Sequence, residues 1–345
     1  MELRTLDENF LPCGPTKLRP FDISWDRKYY ETGKFTLQIA ASDYDPAMAY
    51  VYSNDRPELG MVQQVRYTDD DSMVLISGFF AEHILNRRCV YPMMKQASTR
   101  VKFCADAVEN YPVDGIDIVI DAYTDEGASA NRQETGGQLD DVCHTMLKAE
   151  EKAYRCYFDY ETGKLHFQIY QGVDRTQSQG VNNFVVFSPA WRNMKKLTVT
   201  SDNSNYYNYF IAGGQGEGSE RAYVVIDLSA GEPMRQKFLD MRDVEKDEEM
   251  TAEQYEAVLY AKAVERAASY VNIQNVEFDA DTERSFRYLV DYDLGDKCDI
   301  IIDKLNMAFE ARIIEILETW TKNVHKVTLV FGDKIPSPYE KVRLK

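Results

Sequence analysis

Period-two alternation governs both ends of this chain. In "FDISWDRKYYETGKFTLQIA" apolar and polar residues alternate on either side of a turn at Glu31–Gly33, and Phe35, Leu37 and Ile39 share one face. In "VHKVTLVFGDK", near the other end, Val327, Leu329 and Phe331 do the same. Only a strand puts every second side chain on one side. A chain built this way commits both its ends to sheet.

Between the ends the pattern changes. "PELGMVQQVRY" and "SMVLISGFF" continue the first β segment, Gly78 breaks it, and "FFAEHILNRRC" predicts a short amphipathic helix. Residues 93–110 predict a helix ended by Pro112. "GIDIVIDAY" predicts a strand, and a second helix is expected after Gly137 in "QLDDVCHTMLKAEEKAY". "YRCYFDYETGKLHFQIY" predicts a hairpin turning at Asp159–Gly163. Strands return from Trp191. After an acidic run comes a helix over 252–271, opened by a capping box at Thr251 and Gln254, with Tyr255, Val258, Leu259, Ala263, Ala267 and Tyr270 at helical spacing. The expectation is a mainly β chain with α+β parts. Its segments are a β domain at 1–90, an α+β domain at 91–190, and a second β domain at 191–345 with a helical insertion around 240–272. No short tandem repeat is present.

Composition narrows the function. Hydrophobic residues make up 44% and aromatics 12% of the 345, including 23 tyrosines, which suits a β-rich globular protein. A net charge of −17 argues against nucleic-acid binding by phosphate neutralisation. No apolar run approaches the roughly 20 residues of a membrane-spanning helix. "MELRTLDENF" lacks an apolar signal core, so synthesis in a cytosol is expected. The six cysteines (13, 89, 104, 143, 156, 298) form no CxxC pair and are expected to be reduced and mostly buried.

The densest acidic motif is "YLVDYDLGDKCDIII", with Asp291, Asp293, Asp296 and Asp299. Counted from Asp291 as a calcium loop, its glycine falls one place early and position 12 is Ile302 instead of glutamate. A strand, a tight bend at Gly295 and an outgoing strand fit better. "GGQGEGSE" carries Gly214, Gly216 and Gly218, but also Glu217 and Glu220, and a strand follows it. It predicts a hairpin loop, not a phosphate cradle. Cys143 and His144 are adjacent, which on a helix points them apart and argues against a dyad. His83, His166 and His325 lie on elements where a structural histidine is the default. With 57 acidic residues, carboxylate pairs suited to glycoside hydrolysis are too many to single one out. No catalytic, cofactor-binding or metal-binding residue is assigned, and no cofactor is expected.

Five phrases together carry a resemblance. They are "SWDRKYYETGKFTLQI" (Trp25, Arg27, Tyr29, Gly33, Phe35), "ISGFFAEHILNRR", "YQGVDRTQSQGVNNFVVFSPAWRNM" (Gly172, Asp174, Arg175, Thr176, Phe187, Ser188, Asn193), "YLVDYDLGDKCDI" and "VTLVFGD". In this order they resemble the siphophage tail-hub or baseplate-hub family, the gene-product-thirty-seven-like group, over nearly the whole chain. The resemblance implies two tube-type β-barrel domains with peripheral α/β domains. It also implies a homotrimeric ring whose barrels continue the tail tube, DNA passing through a central channel without specific binding. The implied partners are distal tail or tail-tube proteins and tip or receptor-binding fibre proteins. The implied place is the virion's tail tip, after synthesis in the bacterial host cytoplasm, and the implied role is structural. Some relatives carry C-terminal fibre, peptidase or glycosidase modules; none is expected after "PSPYEKVRLK". Two other readings stay open: a cell-wall hydrolase using an unrecognised carboxylate pair, and a carbohydrate-binding module suggested by the aromatic content. Tyrosine is equally what large protein interfaces use.

Overall fold

The structure is a computed structural model that describes residues 1–68, 72–218, 221–247, 250–270, 273–281, 285–321 and 324–332. The N-terminal segment forms seven strands: β1 (Leu3–Leu6), β2 (Pro12–Leu18), β3 (Asp22–Lys28), β4 (Lys34–Ala40), β5 (Tyr50–Tyr52), β6 (Leu59–Thr68) and β7 (Met73–Phe80). Trp25, Phe35, Leu37, Ile39, Val74, Ile76 and Phe80 point to one side and form its core, as the alternation requires.

A 3-10 turn follows at Ala81–Arg87, where an amphipathic α-helix was expected. Its buried residues are Ala81, Glu82, Ile84 and Leu85, a spacing of three that suits the tighter helix. The middle segment then runs through β8 (Met94–Ser98), α1 (Arg100–Asn110), β9 (Ile118–Ile120), β10 (Ala130–Glu134), α2 (Leu139–Lys148), β11 (Ala153–Asp159) and β12 (Lys164–Tyr170). Residues 94–98 are thus a strand, not the start of the helix expected over 93–110. They pair with β10, and Thr99 starts the helix by accepting from the Lys102 N–H. The hairpin β11–β12 forms as read, with β9 parallel to its outer edge. α1, α2 and this sheet share a core with Leu6, Tyr50, Tyr52, Leu59 and Met61 of the N-terminal strands.

The rest comprises β13 (Val186–Phe187), β14 (Met194–Asp202), β15 (Tyr209–Gly213), β16 (Tyr223–Asp227), β17 (Gln236–Asp240), α3 (Ala252–Ala267), β18 (Ile273–Ala280), β19 (Lys297–Ile302), β20 (Met307–Thr321) and β21 (Val324–Gly332). α3 carries the expected capping box, with Thr251 accepting from Gln254 N–H and Gln254 accepting from Thr251 N–H. It lies on the three-stranded sheet β16–β15–β17 and makes a small separate core with it.

The two β segments are hydrogen-bonded into one sheet. The strand path is β14–β18–β21–β20–β3–β4–β7–β6–β5–β1–β2, with β19 also on β20 and β13 on β19. The bridge is β20, fifteen residues long. Its first part pairs with β19; after a register shift between Ile313 and Glu315 its second part pairs with β3, Glu315 to Lys28 through Thr321 to Asp22. Antiparallel pairing between residues near opposite ends of the chain makes this sheet the joint of the molecule.

One buried group gives the fold a pH signature. Glu82 is 6% exposed; its Oε1 accepts from Cys156 N–H at 3.4 Å, while Oε2 has no partner. Burial pushes its carboxyl from 4.5 up to about 8. An acid raised on folding keeps its proton in the folded state while the unfolded chain loses it. Its contribution is therefore intact below about 4.5 and erodes as pH rises towards 8, by about 1.4 kcal/mol per unit across that window. Glu82→Gln should melt close to the parent at pH 5 and increasingly above it at pH 7 to 8. Parallel melting curves across that range would contradict the assignment.

Candidate functional site

The motif residues meet where β3 and β20 pair. Arg27 leaves β3 on the core side, and its guanidinium is enclosed: Nε donates to Glu58 Oε1 at 2.6 Å, and Nη1 donates to Tyr288 OH at 2.7 Å and to Asp293 Oδ1 at 2.6 Å. Trp25 Nε1 donates to Glu58 Oε2 at 3.5 Å. Beside this knot, Arg56 grips Glu318 with both ends of its fork, Nε to Oε1 at 2.7 Å and Nη2 to Oε2 at 2.6 Å. Tyr288 OH, which accepts from Arg27, donates to Glu318 Oε1 at 3.0 Å, and His325 Nε2 lies 3.2 Å from Glu318 Oε2. The side chains of Arg27 and Glu318 are 2% and 0% exposed.

Burial alone would strip charge from such groups. It pushes the Arg27 guanidinium down, but Glu58, Tyr288 and Asp293 outweigh it and hold the group well above its ordinary value. Burial likewise pushes Glu318 up, yet the hydrogen bonds from Arg56 and His325 and the charges of Arg56 and Arg27 bring it down to about 2. Arg27, Arg56 and Glu318 therefore stay charged at neutral pH. Tyr288 joins the two pairs, accepting from Arg27 and donating to Glu318.

A second knot lies next to the first. Asp296 Oδ1 accepts from Val173 N–H at 2.8 Å, and its Oδ2 accepts from Arg175 Nε at 2.6 Å and Asp293 N–H at 3.0 Å. Gly295 has φ +89°, and a Cβ there would lie 2.3 Å from the Tyr29 ring. Its carbonyl accepts from Arg312 Nη1 at 2.6 Å. Tyr29 OH donates to Glu151 O and accepts from Gly172 N–H, both at 3.1 Å. Gly172 is packed so closely that a Cβ would fall 1.9 Å from Gly295 O. Three distant phrases of the sequence, around Arg27, Gly172 and Asp293, thus interlock through backbone contact.

This answers the question posed by the four aspartates. Asp291 accepts from Arg287 N–H, Asp293 from Arg27 and Leu294 N–H, Asp296 from the three donors above, and Asp299 from Gln177 N–H. Each carboxylate accepts at least one backbone N–H. Among the described residues no group of three or more His, Cys, Asp or Glu is placed to hold a metal ion.

The other sequence candidates lie apart. His144 is buried, its Nε2 is 3.3 Å from Thr32 Oγ1, and burial lowers it to about 4. Cys143 faces the core beside Cys104, whose thiol, together with burial, raises it well above the usual thiol range. The pair does not form a relay. His83 approaches Asp140 at 3.7 Å, and His166 Nδ1 lies 2.7 Å from Asp121. Gly214, Gly216, Glu217 and Gly218 lie in the link between antiparallel β15 and β16; Glu220 lies outside the described residues. Of the quoted motif residues, Gly33 and Phe35 pack against Phe80 in the N-terminal core. Ser188 and Asn193 tie a local turn, with Ser188 N–H donating to Asn193 Oδ1. The sequence reading missed Arg56, Glu58 and Glu318. A signal existed for Glu318, an acid standing at an inward position of the strand "IIEILETW".

Removing one partner from a buried ion network leaves the others uncompensated, at about 3–5 kcal/mol. Arg27→Met should lose that much in urea unfolding, and adding Glu58→Gln should recover part of it. An Arg27→Met chain as stable as the parent would mean that this network does not hold the joint. Gly295→Val should cost about 1–3 kcal/mol or more through strain at positive φ and collision with Tyr29, read in the same experiment. Parent-like stability would refute that geometry.

The profile of the family described as "Siphovirus ReqiPepy6 Gp37-like protein" matches residues 21–333. None of the curated proteins compared matches the sequence. Among solved structures, the chain is similar to the tail protein from Neisseria meningitidis MC58, at 12% identity and TM-score 0.62, covering 96% of each chain. It is also similar to the 43 kDa tail protein of prophage MuSo2 from Shewanella oneidensis, at 14% identity and TM-score 0.59, covering 96% of this chain and 98% of that one. A third is prophage tail protein gp18 from Listeria monocytogenes EGD-e, at 10% identity and TM-score 0.56, covering 100% and 99%. At these identities the structures establish a shared fold. The match over residues 21–333 establishes the family, and the chain belongs to the Siphovirus ReqiPepy6 Gp37-like proteins.

Proposed function

We propose that the chain is the structural hub of a phage or prophage tail tip, closing the distal end of the tail tube and anchoring tip or fibre proteins. The observation that carries this reading is the joint itself. A sheet that runs unbroken from one end of the chain to the other, locked by Arg27 and Glu318, behaves as one stiff wall, which suits a component that must transmit load. In this proposal residues 1–90 and 191–345 supply two tube-type barrel domains and residues 91–190 the peripheral α+β domain. Three copies form a ring with a channel, contacting distal tail or tail-tube proteins on one side. The sheet surface opposite the core supports a channel role. Ser24 and Lys28 on β3, Lys34, Thr36 and Gln38 on β4, and Glu315, Leu317 and Thr319 on β20 face away from Trp25 and Arg27, with Asp26 buried among them. Such a mixed polar wall offers no basic track for DNA to adhere to. The reading is non-enzymatic, in keeping with the buried acids Glu58 and Glu318 being paired to arginines.

Each chain carries −17, so copies repel as a ring closes. Salt shortens that repulsion to a Debye length of about 8 Å at physiological ionic strength. Light scattering on the purified chain should therefore show trimers that strengthen from low to high salt. A stable two-fold dimer that persists with tail-tube partners added would sink the ring. Clearing of bacterial wall in a zymogram would favour the hydrolase reading instead.

A further inference from the structure

The unit made of β15, β16, β17 and α3 hangs from the end of one strand pair. β14 and β18 run antiparallel, and Asp202 opposite Ile273 is their last pair on that side. Both strands leave the ladder there, and the chain between them builds the unit. It closes on itself at its base. Tyr207 N–H donates to Tyr270 O at 3.1 Å, and the two rings meet edge to face with centres 5.8 Å apart. Its core is its own: Phe210, Ile226 and Leu239 of the sheet pack with Tyr255, Val258 and Leu259 of the helix. Among the described residues, none of its buried apolar side chains belongs to the core of the middle segment or to those of the large sheet.

Ion pairs tie this unit to the middle segment. Lys262 Nζ on α3 lies 2.7 Å from Glu134 Oε2 on β10, and Lys95 Nζ on β8 lies 3.0 Å from Asp247 Oδ2. Gln133 Nε2 donates to Glu245 O at 3.4 Å. Glu265 reaches from α3 towards two arginines of the middle segment, its Oε1 3.9 Å from Arg100 Nε and 3.8 Å from Arg132 Nη1. Both separations exceed hydrogen-bond length, so the attraction is that of charge alone. Arg132 depends on it. Burial and the neighbouring Arg100 push its guanidinium down, and Glu265 and Glu150 pull it back up.

The fit is also loose. A cleft of about 460 Å³ opens between the two parts, lined by Glu134, Thr135 and Thr145 on one side and Asp243, Glu245 and Lys262 on the other. Arg100 Nε is buried yet makes no hydrogen bond among the described residues. Two parts of a chain move as one body when a large apolar interface joins them, and otherwise move relative to each other. Charge attraction across an open cleft is weak and responds to salt, because the screening length falls from about 30 Å at 0.01 M to about 3 Å at 1 M.

We propose that the unit of β15, β16, β17 and α3 is a swinging arm: ion pairs dock it on the middle segment, and it pivots as a folded body about the Asp202–Ile273 end of the β14–β18 ladder when those pairs are weakened. The inference does not rest on the tail-hub reading, since a single chain shows it and a ring forms with or without it. The test is an intramolecular distance, measured by double electron–electron resonance on the full chain. Spin labels are carried by Leu228→Cys in the arm and Glu161→Cys in the middle segment, both exposed positions. Cys13→Ser and Cys89→Ser remove the thiols that are not buried. Labelled chain is diluted into a large excess of unlabelled chain, which keeps pairs between copies silent. One distance is expected at low salt, and a second, broader distribution should grow as salt rises to about 1 M, with the far-ultraviolet circular dichroism unchanged. Glu265→Lys puts a third cation beside Arg100 and Arg132, and Lys262→Glu faces Glu134. Each should raise the ratio of swung to docked arm by about fivefold. Adding Glu134→Lys to Lys262→Glu should bring the ratio back towards the parent's. A single unchanged distance from low to high salt, in the parent and in both variants, would overturn the proposal. So would a second distance that appears only together with a loss of circular dichroism, because that is local unfolding.

Discussion

Arg27 is the constraint around which the molecule is arranged. A guanidinium with 2% of its side chain exposed has lost its water, and such a loss costs several kcal/mol unless every donor is met by a well-placed acceptor. The acceptors come from two places far apart in the chain: Glu58 from the turn between β5 and β6, Tyr288 and Asp293 from the motif before β19. Arg56 and Glu318 repeat the arrangement one strand along. Hydrophobic burial would hold β3 against β20 in more than one register. The ion network is satisfied when Ile316 stands opposite Arg27 and Glu318 opposite Trp25, as it does here. A one-residue slip would turn Arg27 and Glu318 to the other face of the sheet, away from their partners.

The second knot follows from the first. Once Asp293 is committed to Arg27, the chain must turn sharply to begin β19. Gly295 makes that turn at a φ that side chains resist, against a ring that leaves no room for a Cβ. Asp296 then collects the segment carrying Gly172 and Arg175. Contacts that span more than 260 residues of sequence cannot form until both ends of the chain are made. A fold whose joint depends on them gathers late, because long loops must close before those contacts repay the closure.

Sequence alone disclosed the elements better than their union. The strands bearing Phe35, Leu37 and Ile39 or Val327, Leu329 and Phe331, the hairpin around Asp159–Gly163 and the capping box at Thr251 are local, and local periodicity reports them. The tight bend at Gly295 and the outgoing strand were also legible from the glycine's position, but the strand expected before the bend is a turn over 289–291. Where a local pattern misled, at residues 94–98, pairing with β10 overrode helical propensity. The β3–β20 joint left no such trace. Arg27 and Glu58 read singly as surface charges, Glu318 alone stands at a visibly inward strand position, and nothing short-range says that the three meet inside.

That internal pairing, together with burial, sets the proton affinities of the buried acids. A general acid or nucleophile needs a carboxylate whose proton affinity is tuned near working pH and which faces a substrate. Glu318 is driven the other way, to about 2, by arginines that cover both its oxygens. Glu82 is tuned upward, to about 8, yet is walled in by the core with Cys156 as its neighbour, where no substrate can reach. The sequence's densest acidic motif is consumed by turns. What the fold leaves on the sheet side opposite Trp25 and Arg27 is mostly polar.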